Sequence, residues 1–259
     1  LWPANFHFMA KDILTTHAVY WPTMLMAAKI PLPKTIFSHG WWLMEESKMS
    51  KSLGNTVNPM ELIDEYGVDP VRYYLMRNMV LGMDANFTME SFIKRYNSDL
   101  ANDYGNLVNR VTMLINKHFD GKIPKSGNYN EIDLQIIAEI KNIPIDVKNN
   151  FNTLKIHDAI EQTFSIIRKV NAYLEKKSPW KAIKEDKSQG GNAATTLALS
   201  ADILRISTEL LYPIMPEKTI MILNILGCDS ISSLNTTLGQ LKPGTKLGSG
   251  QTPFPRIIK

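Results

Sequence analysis

Between residues 153 and 174 the apolar side chains Ile156, Ile160, Phe164, Ile167, Val170 and Leu174 recur every three or four positions. That spacing returns to one face of a helix of 3.6 residues per turn, and such a stripe must be buried against other helices. The same period runs over about Met89 to His118, Ile132 to Val147 and Ala194 to Tyr212. After Pro213 and Pro216 a shorter segment, Glu217 to Leu226, completes the set. Beyond about Thr88 the chain is therefore expected to be nearly all helical, a bundle whose most flexible point is Gly190-Gly191. The segment after Ser230 is rich in Gly, Thr and Lys and is expected to pack as an extended tail.

The first third is different. Phe6-His7-Phe8-Met9 is a short apolar run, Asp12 to about Met26 has helical character with Pro22 as a bend, and Thr35 to Gly40 reads as a second strand. Strand, helix, strand is the βαβ grammar of a parallel sheet. Two strands are too few for a doubly wound domain, so the chain is expected to begin inside one, with an exposed sheet edge and an apolar face left uncovered. Residues Glu45 to Asn58 are polar and read as a mobile loop. Asn58-Pro59 opens a helix that closes at Gly67, and Asp69-Pro70 opens the next.

Composition narrows the class. The chain has 259 residues, a formal net charge of +4 and a pI of about 9.0, which suits a polyanionic partner without demanding one. Cys228 is the single cysteine, so neither an internal disulfide nor a multi-cysteine zinc site can form. No apolar run reaches the roughly 18 residues of a membrane span.

Lys48-Met49-Ser50-Lys51-Ser52 is the most informative pentapeptide. Two lysines on long stems, separated by hydroxyl residues on a loop, suit a polyphosphate, although a generic K-x-x-K is more often a solvated loop. The full string is not generic. With Leu53-Gly54-Asn55, Asn58-Pro59, Tyr66-Gly67-Val68-Asp69 and Arg72-Tyr73 it resembles the second signature of the class I aminoacyl-tRNA synthetases. Lys11-Asp12-Ile13-Leu14, His17, Tyr20-Trp21-Pro22, Pro31-Leu32-Pro33 and His39-Gly40-Trp41-Trp42 are similar to the methionyl subgroup.

The resemblance implies a fold that is mostly α with a small α/β piece. Residues 1–87 would be the C-terminal part of a Rossmann-type catalytic domain, 88–230 a helical-bundle anticodon-binding domain and 231–259 a tail packed on the bundle. It implies that Lys48 and Lys51 stabilise the pyrophosphate leaving group as the methionine carboxylate attacks the α-phosphate of ATP. Met49, Ser50 and Ser52 would join them around the phosphates, Asp12 would hold the ribose, and His39 and Gly40 would flank the adenine. Ile13 and His17, one helical turn apart, match positions near the methionine side chain. Ala10 departs from the family, which usually has glycine before K-D-I; its methyl narrows the backbone's approach to the nucleotide.

On the long helix Leu100, Tyr104, Leu107, Val108, Val111, Leu114 and Ile115 form the apolar side. Asn102, Asn106 and Arg110 form an i, i+4, i+8 ladder of two amides and a guanidinium, groups able to read base edges and hold a phosphate. Such a face is more often merely solvated. The resemblance implies that Asn106 and Arg110 contact the anticodon, with Asn102 one turn earlier. Ser178-Pro179 starts a helix, Ser as its cap and Pro in its first turn, and sets an exposed Trp180 beside Glu175-Lys176-Lys177, a stacking platform for an unpaired base, although a core tryptophan is the commoner case. In the family a tryptophan here stacks under the first anticodon base, a cytosine.

The function implied is methionine–tRNA ligation: activation of methionine to the adenylate with ATP and Mg2+, then transfer to tRNA(Met). Alternatives are a stand-alone tRNA-binding module without catalysis and part of another class I synthetase; Asn106, Arg110 and Trp180 together speak against the last. The companion signature H-I-G-H does not occur in these residues, nor does a cysteine-rich zinc knob, so no metal site is expected here and the chain alone is expected to be inactive. A cytoplasmic monomer without membrane contact is expected.

Overall fold

The structure is a computed structural model describing residues 2–44, 47–48, 57–228, 236–250 and 252–258. The chain divides into two compact units, residues 1–58 with 78–91, and residues 59–77 with 92–259.

In the first unit β1 (His7–Ala10) and β2 (Ile36–His39) pair in parallel, His7 opposite Ile36 and Ala10 opposite His39. The connection is helical from Lys11 to Ala27, though not uniform, and irregular over residues 28–35. A 3-10 turn (Lys11–Ile13) gives way to a π-helical turn (Thr16–Tyr20) and then to α1 (Trp21–Ala27). Pro22 therefore sits in the first turn of α1, where its missing N–H leaves no bond unmade, rather than bending a longer helix. A second small sheet has the order β4-β3-β5, with β3 (Trp42–Met44) antiparallel to β4 (Ser47–Lys48) and parallel to β5 (Ala85–Phe87). Few side chains are buried here, among them Met9, Leu25, Ala85 and Phe87. Phe8, Val19, Tyr20, Met24 and Met26 are each more than half exposed, the uncovered apolar surface expected of this segment.

The second unit is the helical bundle. It contains α2 (Pro59–Tyr66), α3 (Val68–Asn78) and α4 (Met89–Arg95), the last two crossing the division between units. Gly67 ends α2 with φ +87° and its N–H on the Ile63 carbonyl. The buried Asp69 accepts the Lys218 backbone N–H at 2.6 Å, and burial raises its pKa. From Met89 to His118 the path is helical as expected, but residues Tyr96–Gly105 are wound as a π-helix between α4 and α5 (Asn106–His118).

The expected helix from 132 to 147 is two. An Asn130/Asp133 capping box opens α6 (Glu131–Ile140), and α7 (Ile143–Asn152) carries Pro144 in its first turn. Proline cannot donate to the turn before it, so the apolar period continues while the helix does not. At the centre lies α8 (Ile156–Lys177), where Ile160, Phe164, Ile167, Val170 and Leu174 are completely buried. Packed against it are α7 and α10 (Asn192–Leu211), and α9 (Pro179–Glu185) and α11 (Pro216–Ile225) pack in turn on α10. Gly190, read from sequence as a flexible point, donates its N–H to the Lys125 carbonyl at 2.9 Å.

The C-terminal segment has no helix among its described residues. It is tied down by backbone bonds to Gly121 and Ile123, by the buried Asp202–Arg205 pair reaching Thr237 and Leu241, and by Asn97, which bonds both backbone groups of Ile257. Phe254 fills the space beside Gly105, its ring 5.6 Å from Tyr104.

Candidate functional site

Two constellations stand out, one in each unit. In the first, both parallel strands end at the same edge, where open α/β sheets bind ligands. Ala10, Lys11 and Asp12 follow β1; His39, Gly40 and Trp41 follow β2. Asp84 ties these ends together. It pairs with Lys11 at 2.7 Å and accepts the Trp41 backbone N–H at 2.8 Å, and the Lys11 hydrogen bond is the main reason its pKa is lowered. The Lys11 ammonium sits 4.2 Å from the Trp41 ring centre, and the indole N–H points at Asp12 from 3.4 Å. Gly40 is required sterically, since a Cβ there would lie 2.1 Å from the Met83 carbonyl oxygen. A carbonyl can only accept, so the 2.7 Å contact fixes the proton of His39 on Nδ1.

Of the two residues matched to the methionine side chain, His17 lines a groove of about 450 Å³ with His7, Phe8, Met9, Thr16 and Trp21. Ile13 does not line it; its carbonyl accepts from His17 Nδ1 at 3.0 Å. The lysine loop lies largely outside the described residues: Lys48 is described only as a backbone partner of Leu43, and Met49, Ser50, Lys51 and Ser52 are not described.

The second constellation is a cleft of about 510 Å³ lined by Asn106, Arg110, Met113, Leu114, Glu175 and Trp180. Three of the four residues singled out in sequence thus meet. Asn106 and Arg110 are one turn apart on α5, and Trp180 comes from the first turn of α9. The Arg110 guanidinium lies 5.0 Å from the Trp180 ring centre and pairs with the exposed Glu175 at 2.7 Å. This is a cation–π contact oriented by a carboxylate. Asn102 is exposed but does not line the cleft. It lies in the π-helical stretch, whose wider winding breaks the straight ladder that 3.6 residues per turn would give.

The surroundings of Trp180 correct the sequence reading in three ways. The indole is half-buried rather than exposed. Lys177 does not flank it in solvent; it is buried and paired with Asp133 at 2.8 Å, and Asp133 also accepts from the Tyr173 hydroxyl at 2.6 Å. Ser178 does not cap α9 through its side chain. It adopts the left-handed conformation (φ 42°, ψ 57°) and donates its hydroxyl to the Glu175 carbonyl. One residue thus both ends α8 and begins α9, so Trp180 is placed by the core helix.

Sequence reasoning gave no role to Glu175, Met113 or Leu114 in the cleft, or to Lys11, Trp41 and Asp84 at the strand ends. Met113 follows Arg110 by three positions and was findable by helical spacing. Asp84 lies 73 residues from Lys11 and carries no local signal.

Family models match residues of both units. The family model described as tRNA synthetases class I (M) matches residues 2–112. The model described as anticodon binding domain of methionyl tRNA ligase matches residues 123–259. A methionine–tRNA ligase of Caldanaerobacter subterraneus subsp. tengcongensis is 40% identical over 258 residues, covering 99% of this chain and 40% of the relative. One of Listeria monocytogenes is 41% identical over 267 residues, covering 99% of this chain and 39% of the relative. The solved Mycobacterium tuberculosis methionyl-tRNA synthetase in complex with methionyl-adenylate superposes with a TM-score of 0.93 at 37% identity, covering 98% of this chain and 50% of that one. Its apo form gives 0.90 at 34% identity, covering 100% of this chain and 51% of that one.

A parallel-strand edge of this kind, followed by a helical bundle, is the architecture of a class I aminoacyl-tRNA synthetase. Both matched models and the relatives carry the methionyl designation, and the chain belongs to the methionyl-tRNA synthetase family. It spans about two fifths of the length of the curated relatives it matches.

Proposed function

We propose that this chain supplies the anticodon-reading bundle and the lysine-loop side of the active site of a methionine–tRNA ligase. The observation that carries the reading is the convergence of Asn106, Arg110 and Trp180 in one cleft. The indole offers a π-face to an unpaired base, and the amide and guanidinium supply the hydrogen bonds that stacking alone cannot use to choose a base. The cognate RNA is tRNA(Met), read at the first base of its CAU anticodon. Asn102 contacts the same loop one turn away.

At the strand ends Asp12 holds the ribose, His39 and Gly40 flank the adenine, and the groove beside His17, with Ile13 at its margin, receives the methionine side chain. Lys48 and Lys51, with Met49, Ser50 and Ser52, neutralise the charge that develops on pyrophosphate as it leaves. No cluster of three or more His, Cys, Asp or Glu side chains is found among the described residues. Mg2+ enters with the ATP phosphates, its usual partners. No helix among the described residues is long and apolar enough to cross a membrane. From the family to which it belongs, we place the chain in the cytoplasm, as a monomer.

The test is binding of fluorescent anticodon stem-loops. Trp180→Ala should weaken CAU binding by about 1–3 kcal/mol, the usual loss for a base-stacking aromatic. Unchanged affinity would remove Trp180 from the site and with it the main support for this reading. Because H-I-G-H does not occur in these 259 residues, ATP–pyrophosphate exchange by the chain alone should stay at background. Methionine-dependent exchange above background would show that the H-I-G-H signature is dispensable here.

A further inference from the structure

Both elements that build the cleft lead away from it to one basic groove. Along α5 the chain runs from Arg110 to His118, eight residues or about 12 Å at roughly 1.5 Å per residue. Along α9 and the turn after it, the chain runs from Trp180 to Lys187. His118 and Lys187 then line a groove of about 460 Å³ with Lys122, Lys125, Asp120 and Gln189. Lys122, Lys125 and Lys187 are all exposed, and none makes an ion pair among the described residues.

A folded chain gains nothing from gathering unpaired ammonium groups from separate segments, because like charges repel. Several cations elsewhere in this unit are matched, Lys169 with Glu139, Arg168 with Glu161 and Arg205 with Asp202 and Glu209, while exposed lysines such as Lys181 and Lys184 are singly unpaired among the described residues; the groove gathers three unpaired ammonium groups on one concave surface. The groove has a positive field for which Asp120 is the one lining carboxylate. The field is felt by His118, whose pKa is lowered by burial first and then by the charges of Lys117 and Lys187. The walls are held in place. Gln189 accepts the Lys125 backbone N–H at 2.6 Å, and Gly244 and Ile123 exchange backbone bonds with each other's segments. The result is a fixed trough with mobile cationic tips, suited to successive phosphates rather than to one small anion.

We infer that this groove, through Lys122, Lys125 and Lys187, holds the phosphodiester backbone of the RNA arm whose loop base enters the Trp180 cleft. The inference rests on the anticodon reading of that cleft. A strand anchored by a stacked base at one end of α5 and α9 carries its neighbouring phosphates along the two helices to their other ends. These contacts carry no base information, so they add affinity equally for all loop sequences.

The experiment compares the full chain with a Lys122→Gln/Lys125→Gln/Lys187→Gln variant. Both are titrated with a CAU stem-loop and with one changed at the first anticodon base, from 0.05 to 0.5 M salt. The expected result is a salt-dependence slope smaller by roughly 2–3 and CAU affinity lower by roughly 100-fold at 0.1 M salt, as for three lost phosphate contacts. The ratio between the two loops should be unchanged. If the wild-type chain prefers CAU and the variant keeps the same slope and affinity, the groove inference is overturned while the cleft reading stands. If the wild-type chain binds both loops equally, the cleft reading fails. A variant that then loses all binding shows a general polyanion patch, which overturns the inference as well. The three single variants, each expected to lower the slope by about 0.7–0.9, guard against a fold defect in the triple.

Discussion

Lys177→Met is expected to lower the stability of the helical unit by about 3–5 kcal/mol, because it strands a carboxylate in the interior. The side chains of Lys177 and Asp133 are each 2% exposed and sit 2.8 Å apart. Asp133 retains the Tyr173 hydroxyl and the Asn130 backbone N–H, but neither cancels its charge. Urea unfolding followed by helical circular dichroism measures the loss; a change under about 1 kcal/mol would mean that the pair is solvated, as surface pairs are. Replacing both partners, as Asp133→Leu with Lys177→Met, should recover much of the deficit.

The deficit should also depend on pH. Burial pushes the Asp133 carboxyl up, yet the bonds from Lys177, Tyr173 and Asn130 outweigh it and leave the pKa below its ordinary 3.8. A lowered folded value stabilises fully above the unfolded pKa and is lost as pH falls through the folded one. The gap between wild type and Lys177→Met is thus widest near neutral pH and narrows in acid, closing only as pH falls through the lowered folded pKa of Asp133.

Phe254→Ala should cost about 3–5 kcal/mol, the range for emptying a buried aromatic site. The ring is 1% exposed, 5.6 Å from Tyr104 and edge-on to Tyr96 at 6.4 Å. A Cβ at Gly105 would lie 3.5 Å from the Phe254 carbonyl oxygen and 3.6 Å from its Cβ, ordinary contact distances that place Phe254 directly against the helix backbone. Thermal unfolding reads the effect, and hydrogen exchange at 252–258 should accelerate more than in α8. A loss under about 1 kcal/mol would mean that the tail does not dock in solution.

Helices whose apolar period matched a continuous backbone were legible from sequence. Ile160 to Leu174 lie where periodicity put them, as do Leu107, Val108, Val111 and Ile115 on α5. What periodicity cannot register is a break that preserves the pattern. The apolar series passes through Lys141-Asn142 and Pro144 undisturbed, so α6 and α7 read as one. Nor does it register a change of winding, which is why the π-helix at 96–105, and with it the displacement of Asn102 from the cleft, had no signature. Asn106, Arg110 and Trp180 were accessible because spacing and residue chemistry point the same way. Lys177 was not. In a run of Glu175-Lys176-Lys177 nothing distinguishes the lysine that turns inward, and its partner lies 44 positions earlier inside a helix cap.

The left-handed Ser178 joint bears on how binding free energy is distributed. Trp180 is three residues beyond the last residue of α8, whose inner face is completely buried, with no loop in which to relax, and Arg110 projects from a helix whose other face is core. A ligand docking here meets groups that have already surrendered most of their conformational freedom during folding, so little further ordering is demanded of the protein. The disorder removed on association is then mainly that of the RNA loop, whose bases must leave their own stack. Loop sequences that are already splayed should bind faster, and protein substitutions that loosen the joint should show up as a penalty on affinity without any contact to RNA being lost.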